Sequence, residues 1–414
     1  MDSLHAILLE ALGAALRSET AACSEALSAQ AWAELFALAD AHRVLPMVYQ
    51  AMYRSEAARR TDPALFAPYK RRVMRDVIVQ TQRTQAFFEL YDALCAEGLT
   101  PIVVKGVVCR SLYPSPDHRM SADEDILLPQ DQLRACHRAL VAAGLLTEGD
   151  EDKTAGEYET SFFSRDRVTH IEVHSSLFPP ESDAYGDMAG LFEGAIARSG
   201  EREVSGHRLR TLSHTDHMLF LLCHAFKHFL HSGFGLRQVC DIALYANVYG
   251  GEIDWASVQS ACRSIRAEHF AAAVFAIAER YFTFDPSRAC FPETWRALRV
   301  DPDPLLEDLL GSGVYGGASL SRRHSSRITL SAVSASRRGA TERAGVLKAL
   351  FPPVDALQGR YPYLQTKKWL LPVAWAQRIA RYRRETVRTR NNSAADAVRI
   401  GRERTELLRE YDII

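Results

Sequence analysis

Residues 119–128, with the sequence RMSADEDILL, place three consecutive acids at the start of a short apolar segment. The apolar residues that follow Asp125 predict a buried β-strand. Because alternate residues of a strand point to the same face, Asp123 and Asp125 would present two carboxylates side by side, with Cα atoms roughly 7 Å apart. Carboxylates this close repel each other unless a cation lies between them, and Mg²⁺ prefers such oxygen ligands. The segment therefore predicts a metal-binding strand.

A third carboxylate is expected from residues 170–174, with the sequence HIEVH. Ile171 and Val173 alternate with Glu172, so the Glu172 side chain would face away from its apolar neighbours. Glutamate is depleted in strands, which makes this single Glu informative. The spacing alone leaves an alternative open, because the three acids could form a solvated acidic turn with Glu172 on an exposed sheet face.

The segments around these acids predict a small mixed-sheet unit of strands and helices. The predicted strands cover residues 100–104, 125–128, 162–163, 168–173 and 208–212. The predicted helices cover residues 130–143, 215–231, 236–249 and 267–282. Residues before the sheet also have helical periodicity. We therefore expect an α+β fold in three parts: an N-terminal helical region at 1–95, a core at 96–212 and a larger C-terminal helical region at 213–414.

The bulk composition excludes several classes of protein. The 414 residues carry a formal net charge of -1, which gives no global attraction to nucleic acid or to a membrane. The eight cysteines are scattered without a Cys-x-x-Cys pair, which is typical of reduced thiols. No run of about 18 apolar residues occurs, and residues 1–22 lack the pattern of a secretory signal. We expect a cytoplasmic protein with no membrane partner.

Several short motifs follow one another in a distinctive order. They are Lys105-Gly106, Leu112-Tyr113-Pro114, Arg119, Asp123 with Asp125, Ile171-Glu172-Val173-His174, His224 with His228, Arg237 with Asp241, and Leu350-Phe351-Pro352 through Tyr361-Pro362 to Arg378. In this order and spacing, the chain resembles the uncharacterised nucleotidyltransferase family of the DNA polymerase β-like nucleotidyltransferase superfamily. The resemblance extends from about residue 32 to residue 384.

The resemblance implies a metal-dependent enzyme that moves a nucleoside monophosphate from a nucleoside triphosphate to an acceptor and releases pyrophosphate. Asp123 and Asp125 would bind Mg²⁺, or Mn²⁺, and Glu172 would complete the catalytic and metal-binding triad. ATP is the expected donor. The acceptor stays open among a small molecule, a peptide or protein and, with less support, RNA. The residues expected to contact the nucleotide are Lys105, Gly106, Arg119, His174, His224, Lys227 and His228.

Two positions depart from the pattern of the family. Glu124 lies between the aspartates, where the family usually has an apolar residue, and Ala122 replaces the usual Gly. We expect Glu124 either to shift the pairing of the strand or to point to solvent at its edge. Neither departure removes a ligand.

Other polar features have competing interpretations. His224 and His228 lie one helical turn apart and could bind zinc, but a structural or phosphate-contacting role is favoured. Arg237 and Asp241 predict an intrahelical ion pair, or a role in orienting the neighbouring His pair or a ligand if they are buried. Residues 311–336, rich in Gly, Ser and Arg, predict a mobile loop, which could close over an anionic substrate or equally be a disordered linker.

Three alternative functions stay open from the sequence. The first is a catalytically idle nucleotidyltransferase fold that serves as a binding module. The second is a toxin-like nucleotidyltransferase that modifies tRNA, which only the arginines between Arg378 and Arg390 favour. The third is a metal-dependent phosphohydrolase that uses the histidines of residues 214–231.

Overall fold

The computed structural model contains one mixed sheet of six strands within the residues that it describes. These residues are 3–180, 184–231, 233–312, 320–339, 353–354, 357–358, 360–387 and 394–414. The strands are β1 (Ile102–Val104), β2 (Glu124–Leu127), β3 (Glu159–Phe163), β4 (His170–His174), β5 (Gly200–Val204) and β6 (His207–Thr211). Their order is β3-β4-β2-β1-β6-β5. The predicted α+β fold is confirmed.

The sheet combines parallel and antiparallel pairs. Strand β1 is antiparallel to β2 and parallel to β6, whereas β2 is parallel to β4. The antiparallel pairs β3–β4 and β5–β6 form the two edges. All residues of β1 and β2 are buried, but β3 alternates buried with half-buried residues. The acids of β2 therefore enter the centre of a sheet whose outer strands keep one face partly open.

Helices account for most of the remaining described chain. The α-helices are α1 (Ser3–Leu16), α2 (Ala29–Ala41), α3 (Leu45–Met52), α4 (Glu56–Arg59), α5 (Ala67–Ala96), α6 (Gly106–Arg110), α7 (Leu133–Ala142), α8 (Glu151–Gly156), α9 (Ala195–Arg198), α10 (His214–His231), α11 (Leu236–Tyr249), α12 (Trp255–Ser264), α13 (Glu268–Tyr281), α14 (Glu293–Arg296), α15 (Asp303–Ser312), α16 (Leu320–Arg337), α17 (Tyr363–Thr366), α18 (Leu371–Val387) and α19 (Ala394–Glu410). Short 3₁₀ helices occupy Pro63–Phe66, Pro116–His118, Gln130–Gln132, Gly190–Phe192, Gly250–Glu252 and Lys368–Leu370. Among the helices described, none combines the length and the apolar character that crossing a bilayer requires.

The chain forms two compact units. The first contains Met1–Ser182, Asp187–Ala225 and Gly235–Pro302, and it includes the whole sheet. The second contains Asp183–Gly186, Phe226–Phe234 and Asp303–Ile414. The three-part division into 1–95, 96–212 and 213–414 stays a prediction.

The mobile loop predicted at residues 311–336 is wrong for most of its length, because α16 begins at Leu320 and continues to Arg337. Ser325, Thr329 and Val333 are buried at a spacing of four residues, which is the helical repeat. Arg322 forms an ion pair with Asp308 at 2.6 Å. Small hydroxyl side chains had suggested a loop, but here they line the buried face of a helix. Residues 313–319 lie outside the described chain.

Candidate active site

The pairing of β2 with β4 brings the two predicted carboxylates of the sheet together. The strands are parallel, with Asp125 in register with Glu172. Residues in register on neighbouring strands point to the same face, so both carboxylates project from one side of the sheet. Asp123 lies one residue before the start of β2. The chain fold thus assembles acids that are separated by almost fifty positions in the sequence.

Lys105 and His174 connect these acids. The Lys105 Nζ atom lies 3.0 Å from Asp125 Oδ2 and 3.7 Å from Asp123 Oδ2, so one ammonium group bridges both aspartates. The His174 Nε2 atom lies 3.1 Å from Asp125 Oδ1 and 4.0 Å from Glu172 Oε2. Asp125 is therefore the central carboxylate, with a cation on one side and an imidazole on the other.

Asp125, Glu172 and His174 could hold a metal ion. Each offers one ligand atom, and these atoms all lie within 4.8 Å of one another. This is the one group of three such side chains found among the described residues. Carboxylate oxygens suit Mg²⁺ or Mn²⁺, and the imidazole nitrogen is the softer donor. Binding by Asp123, Asp125 and Glu172 stays a prediction, to which the geometry adds His174.

The two central carboxylates have opposite pKa shifts. Burial raises the pKa of Glu172 to about 9, and the charges of Asp125 and Asp123 act in the same direction. Burial alone would also raise the pKa of Asp125, but the Lys105 ammonium and the His174 ring hold it well below its usual range. At neutral pH, one carboxylate is consequently ionised and its neighbour carries a proton. A divalent cation at this site would favour the ionised form of Glu172.

The turn between β1 and α6 carries Lys105 in an unusual backbone conformation. Lys105 has φ 50° and Gly106 has φ 44°. A positive φ is strained for Lys but not for Gly. The Lys105 backbone N–H donates to His217 Nε2 at 3.2 Å. Since a backbone N–H can only donate, the proton of the His217 ring must be on Nδ1, which lies 3.3 Å from Thr211 Oγ1.

His217 is suited to act as this hydrogen-bond acceptor because it stays neutral. Its side chain is fully buried. Burial lowers the pKa of His217 to about 3, so the ring keeps its acceptor lone pair at neutral pH. The Thr211 hydroxyl in turn donates to the Val103 carbonyl of β1 at 2.7 Å. A buried chain of hydrogen bonds therefore holds the turn from which the Lys105 side chain extends.

The expectation for Glu124 is wrong. Glu124 is only 5% exposed, and β2 keeps its regular register with both neighbours. Its Oε2 atom accepts the Val107 N–H at 2.8 Å, and its Oε1 atom forms an ion pair with the buried Arg110. The alternation of the strand turns Glu124 away from the two aspartates and towards α6. The acid therefore binds the first turn of α6 instead of disturbing the strand.

Arg119 lies in a buried ion pair. Its Nε and NH2 atoms donate to the two carboxylate oxygens of Asp241 at 3.0 and 2.6 Å, and the Tyr113 hydroxyl donates to Asp241 Oδ1 at 2.7 Å. Arg237 instead donates to the carbonyl of Met120. The predicted ion pair between Arg237 and Asp241 is thus replaced by one between Arg119 and Asp241. This pair ties the segment before Asp123 to α11, and a contact of Arg119 with nucleotide stays a prediction.

The histidines of α10 have separate surroundings. His224 Nδ1 accepts a hydrogen bond from Gln238 Nε2 at 3.1 Å. His224 belongs to the first compact unit, whereas Lys227 and His228 belong to the second. The three-ligand group found in the described part of the chain includes none of these histidines, and a histidine-based phosphohydrolase stays an alternative. Their contacts with nucleotide stay predictions.

The motif residues Leu350, Phe351 and Pro352 lie outside the described residues, as do Arg388 and Arg390. The tRNA-modifying alternative, which only these arginines favour, stays a prediction.

Comparison with known proteins adds one finding to this geometry. The sequence profile of the uncharacterised nucleotidyltransferase family matches residues 28–283. The chain belongs to this family. The matched region contains every strand of the sheet and both central carboxylates. No curated protein and no solved structure matches the chain. Membership in the uncharacterised nucleotidyltransferase family therefore rests on the part of the chain that also forms the candidate site.

Sequence reasoning missed two residues that shape the site. For Glu124 a signal was available, because strand alternation directs the middle acid of three inward, where it needs a basic partner such as Arg110. For His217 the sequence pattern contained no such signal, since its contact with Lys105 joins residues 112 positions apart. Both residues accept hydrogen bonds from the backbone of the turn at Lys105, and neither contacts the carboxylates of Asp125 and Glu172.

Proposed function

We propose that the chain is a metal-dependent nucleotidyltransferase that moves a nucleoside monophosphate from a nucleoside triphosphate, with ATP as the default donor, to an acceptor. The observation that carries this proposal is that Asp125 and Glu172 lie in register on neighbouring strands, with the Lys105 Nζ atom 3.0 Å from Asp125. Membership in the family supports the same class of reaction.

The cofactor of this reaction would be Mg²⁺, or Mn²⁺. Asp125 and Glu172, with Asp123 beside them, are the residues that would hold it, and His174 is a further donor. Such an ion, when bound, neutralises phosphate charge and stabilises the attacking and leaving oxygens. The one nitrogen donor among these side chains makes Mn²⁺ a good substitute for Mg²⁺.

Lys105 would serve the nucleotide phosphates. Its ammonium neutralises Asp123 and Asp125 in the absence of other ligands, and a cation at these carboxylates would free it to contact the triphosphate as a point charge. Gly106 lies next to Lys105 on this turn, and its missing Cβ leaves room for the Glu124 carboxylate that holds the turn.

In the transfer step, a hydroxyl oxygen of the acceptor attacks the α-phosphorus in line. The new bond between phosphorus and acceptor oxygen forms as the bond from the α-phosphorus to the bridging oxygen breaks, and that electron pair leaves with pyrophosphate. The proton of the hydroxyl passes to the Glu172 carboxylate. Because a divalent cation at the site would favour the ionised form of Glu172, this carboxylate could take the proton as a general base.

The experiment is a thermal-stability measurement of the full chain with each of the four nucleoside triphosphates, with and without Mg²⁺. A ligand that binds only the native state raises Tm by mass action. We expect a Mg²⁺-dependent rise for at least one nucleotide, which is lost in Asp123→Ala. The matched control is Asp131→Asn, an exposed acid near the end of β2, which should keep the full rise.

The same experiment separates the alternatives. The absence of any nucleotide-dependent rise would contradict the proposal and favour a catalytically idle binding module. A rise in Tm that persists in Asp123→Ala would mean that nucleotide binding does not require this carboxylate. RNA that copurifies with the protein, together with nucleotide binding, would favour a tRNA-modifying nucleotidyltransferase.

A further inference from the structure

One arginine side chain joins the two strands of the candidate site ahead of their first ladder pair. Arg83, a half-buried residue of α5, donates from Nε to the Val168 carbonyl at 2.8 Å and from NH1 to the Ser121 carbonyl at 2.9 Å. Ser121 precedes β2, and Val168 precedes β4. A single guanidinium group therefore holds the two chain segments that lead into the strands of Asp125 and Glu172.

The position of this bridge matches the register of the two strands. The first pair of their parallel ladder joins Glu124 to Ile171. Ser121 and Val168 each lie three residues before their member of that pair, so they occupy equivalent positions on the two chains. Between the bridge and the ladder lies a narrow crevice that Asp123 lines. The guanidinium, with donors in a fixed fork, thus joins the chains where the ladder has not yet begun.

The segment before Asp123 is also fixed along its own length. The fully buried Gln80, one helical turn before Arg83 on α5, accepts the Ser121 N–H at its Oε1 atom at 2.7 Å. The Ser121 hydroxyl donates to the Asp123 carbonyl at 2.7 Å. Both backbone groups of Ser121 are therefore bonded to α5, and its side chain is bonded to Asp123. The backbone of Asp123 is consequently held on one side by α5 and on the other by the ladder of β2.

We propose that Arg83 is a positioning residue of the candidate site, whose guanidinium sets the spacing between the chain at Asp123 and the strand that carries Glu172. The inference rests on the proposed function, because it takes these carboxylates as the groups that hold Mg²⁺ or Mn²⁺. Among the described residues, Arg83 forms no ion pair with either carboxylate, so it acts through the backbone. Groups that orient metal ligands typically change metal affinity by roughly 10–100-fold.

The bridge can be separated from the charge of Arg83, which also attracts the Asp123 carboxylate. Arg83→Met keeps much of the aliphatic stem and removes both donors and the charge. Arg83→Lys keeps the charge but lacks the planar fork that spans the two carbonyls. The matched control is Arg75→Gln, because Arg75 is an exposed arginine of the same helix that pairs only with its neighbour Asp76.

The test is a Mn²⁺ titration of the full chain followed by electron paramagnetic resonance, with and without ATP. We expect the wild type and Arg75→Gln to bind Mn²⁺ equally well. Arg83→Met and Arg83→Lys should each bind it at least about tenfold more weakly, because the spacing of the carboxylates is no longer fixed. The spectrum of the Mn²⁺ that still binds should also change, which a loss of stability alone would not produce.

Thermal melts of each variant establish that it is folded at the temperature of the titration. Where Arg83→Met does not fold, Arg83→Ala provides a second test, because the shortened side chain leaves space for a guanidinium ion. This ion is added at concentrations far below those that unfold proteins. Recovery of both Tm and Mn²⁺ affinity would support the bridge, whereas recovery of Tm alone would overturn it.

The outcome is separable from that of the proposed function. Wild-type Mn²⁺ affinity in both Arg83→Met and Arg83→Lys overturns the positioning role and leaves the transferase proposal standing. Wild-type affinity in Arg83→Lys, with a loss in Arg83→Met, overturns the bridge and assigns the effect to charge. A wild-type chain that binds no Mn²⁺, with or without ATP, overturns the transferase proposal and the positioning role together.

Discussion

Gly106→Ala should lower the free energy of unfolding far more than an ordinary glycine substitution, because a buried carboxylate fills the space that a Cβ atom of residue 106 would need. A Cβ atom at residue 106 would meet Glu124 Oε2 at 1.9 Å. Glu124 cannot simply move aside, since it accepts the Val107 N–H and pairs with Arg110. The substitution therefore must either distort the turn or displace a buried acid from its partners.

The magnitude follows from two separate costs. An alanine in a left-handed conformation costs roughly 1–2 kcal/mol, and Gly106 has φ 44°. Breaking a buried ion pair by displacing one partner costs about 3–5 kcal/mol. We expect Gly106→Ala to lower the free energy of unfolding by roughly 4 kcal/mol or more. The matched control is Gly98→Ala, at φ 79°, where a Cβ would meet nothing within 4 Å and only the conformational cost applies.

Urea unfolding of the two variants and the wild type measures the difference, with the Mg²⁺-nucleotide effect on Tm as a second measurement. Gly106→Ala should lose both stability and nucleotide binding, whereas Gly98→Ala should lose about 1–2 kcal/mol of stability and keep binding. Equal destabilisation by the two substitutions would refute the reasoning, because it would mean that moving the Glu124 side chain costs no free energy of unfolding.

Three further perturbations test the surroundings of the carboxylates. His217→Ala removes the ring nitrogen that accepts from the part-buried Lys105 N–H, so it should cost about 1 kcal/mol or more in urea unfolding and weaken nucleotide binding; unchanged values would contradict the role of His217. Asp241→Asn leaves the Arg119 charge poorly paired and should cost about 3–5 kcal/mol, much of which the double change to Arg119→Met and Asp241→Leu should recover. The pKa of Glu172 is raised to about 9 in the folded chain from an ordinary value of 4.5, so the folded chain holds a proton that the unfolded chain releases, and the free energy of unfolding falls as pH rises towards 9. Glu172→Gln should flatten this fall in thermal melts between pH 6 and pH 9. An unaltered slope in the variant would refute the raised pKa of Glu172.

The sheet was largely predictable because its strands carry local signals. The β-branched run at Ile102–Val104 and the apolar residues after Asp125 were located within one or two residues, since buried strands select these residue types. Strand β5, with the sequence GEREV, was missed because it lies at an edge and most of its side chains need not be apolar. The sequence pattern that identifies a strand is its row of buried apolar residues, and an edge strand has few of them.

The site was predictable only as far as its residues interact along the sequence. Asp123, Asp125 and Glu172 could be proposed because alternation places acids on one face of each strand. The register that puts Glu172 opposite Asp125 depends on the pairing of β2 with β4, which no local pattern specifies. Likewise, the position of Lys105 depends on a hydrogen bond to His217 on a distant helix.

The three consecutive acids illustrate how one strand can position both halves of a site. Alternation sends Asp123 and Asp125 to one face and Glu124 to the other. Asp125 contacts the Lys105 ammonium directly, while Glu124 holds the backbone of Val107, two residues further along the same turn. The relative position of Lys105 and the aspartates is therefore fixed from both faces of a single strand. An apolar residue at position 124 could fill space there, but it could not bind the turn that carries Lys105.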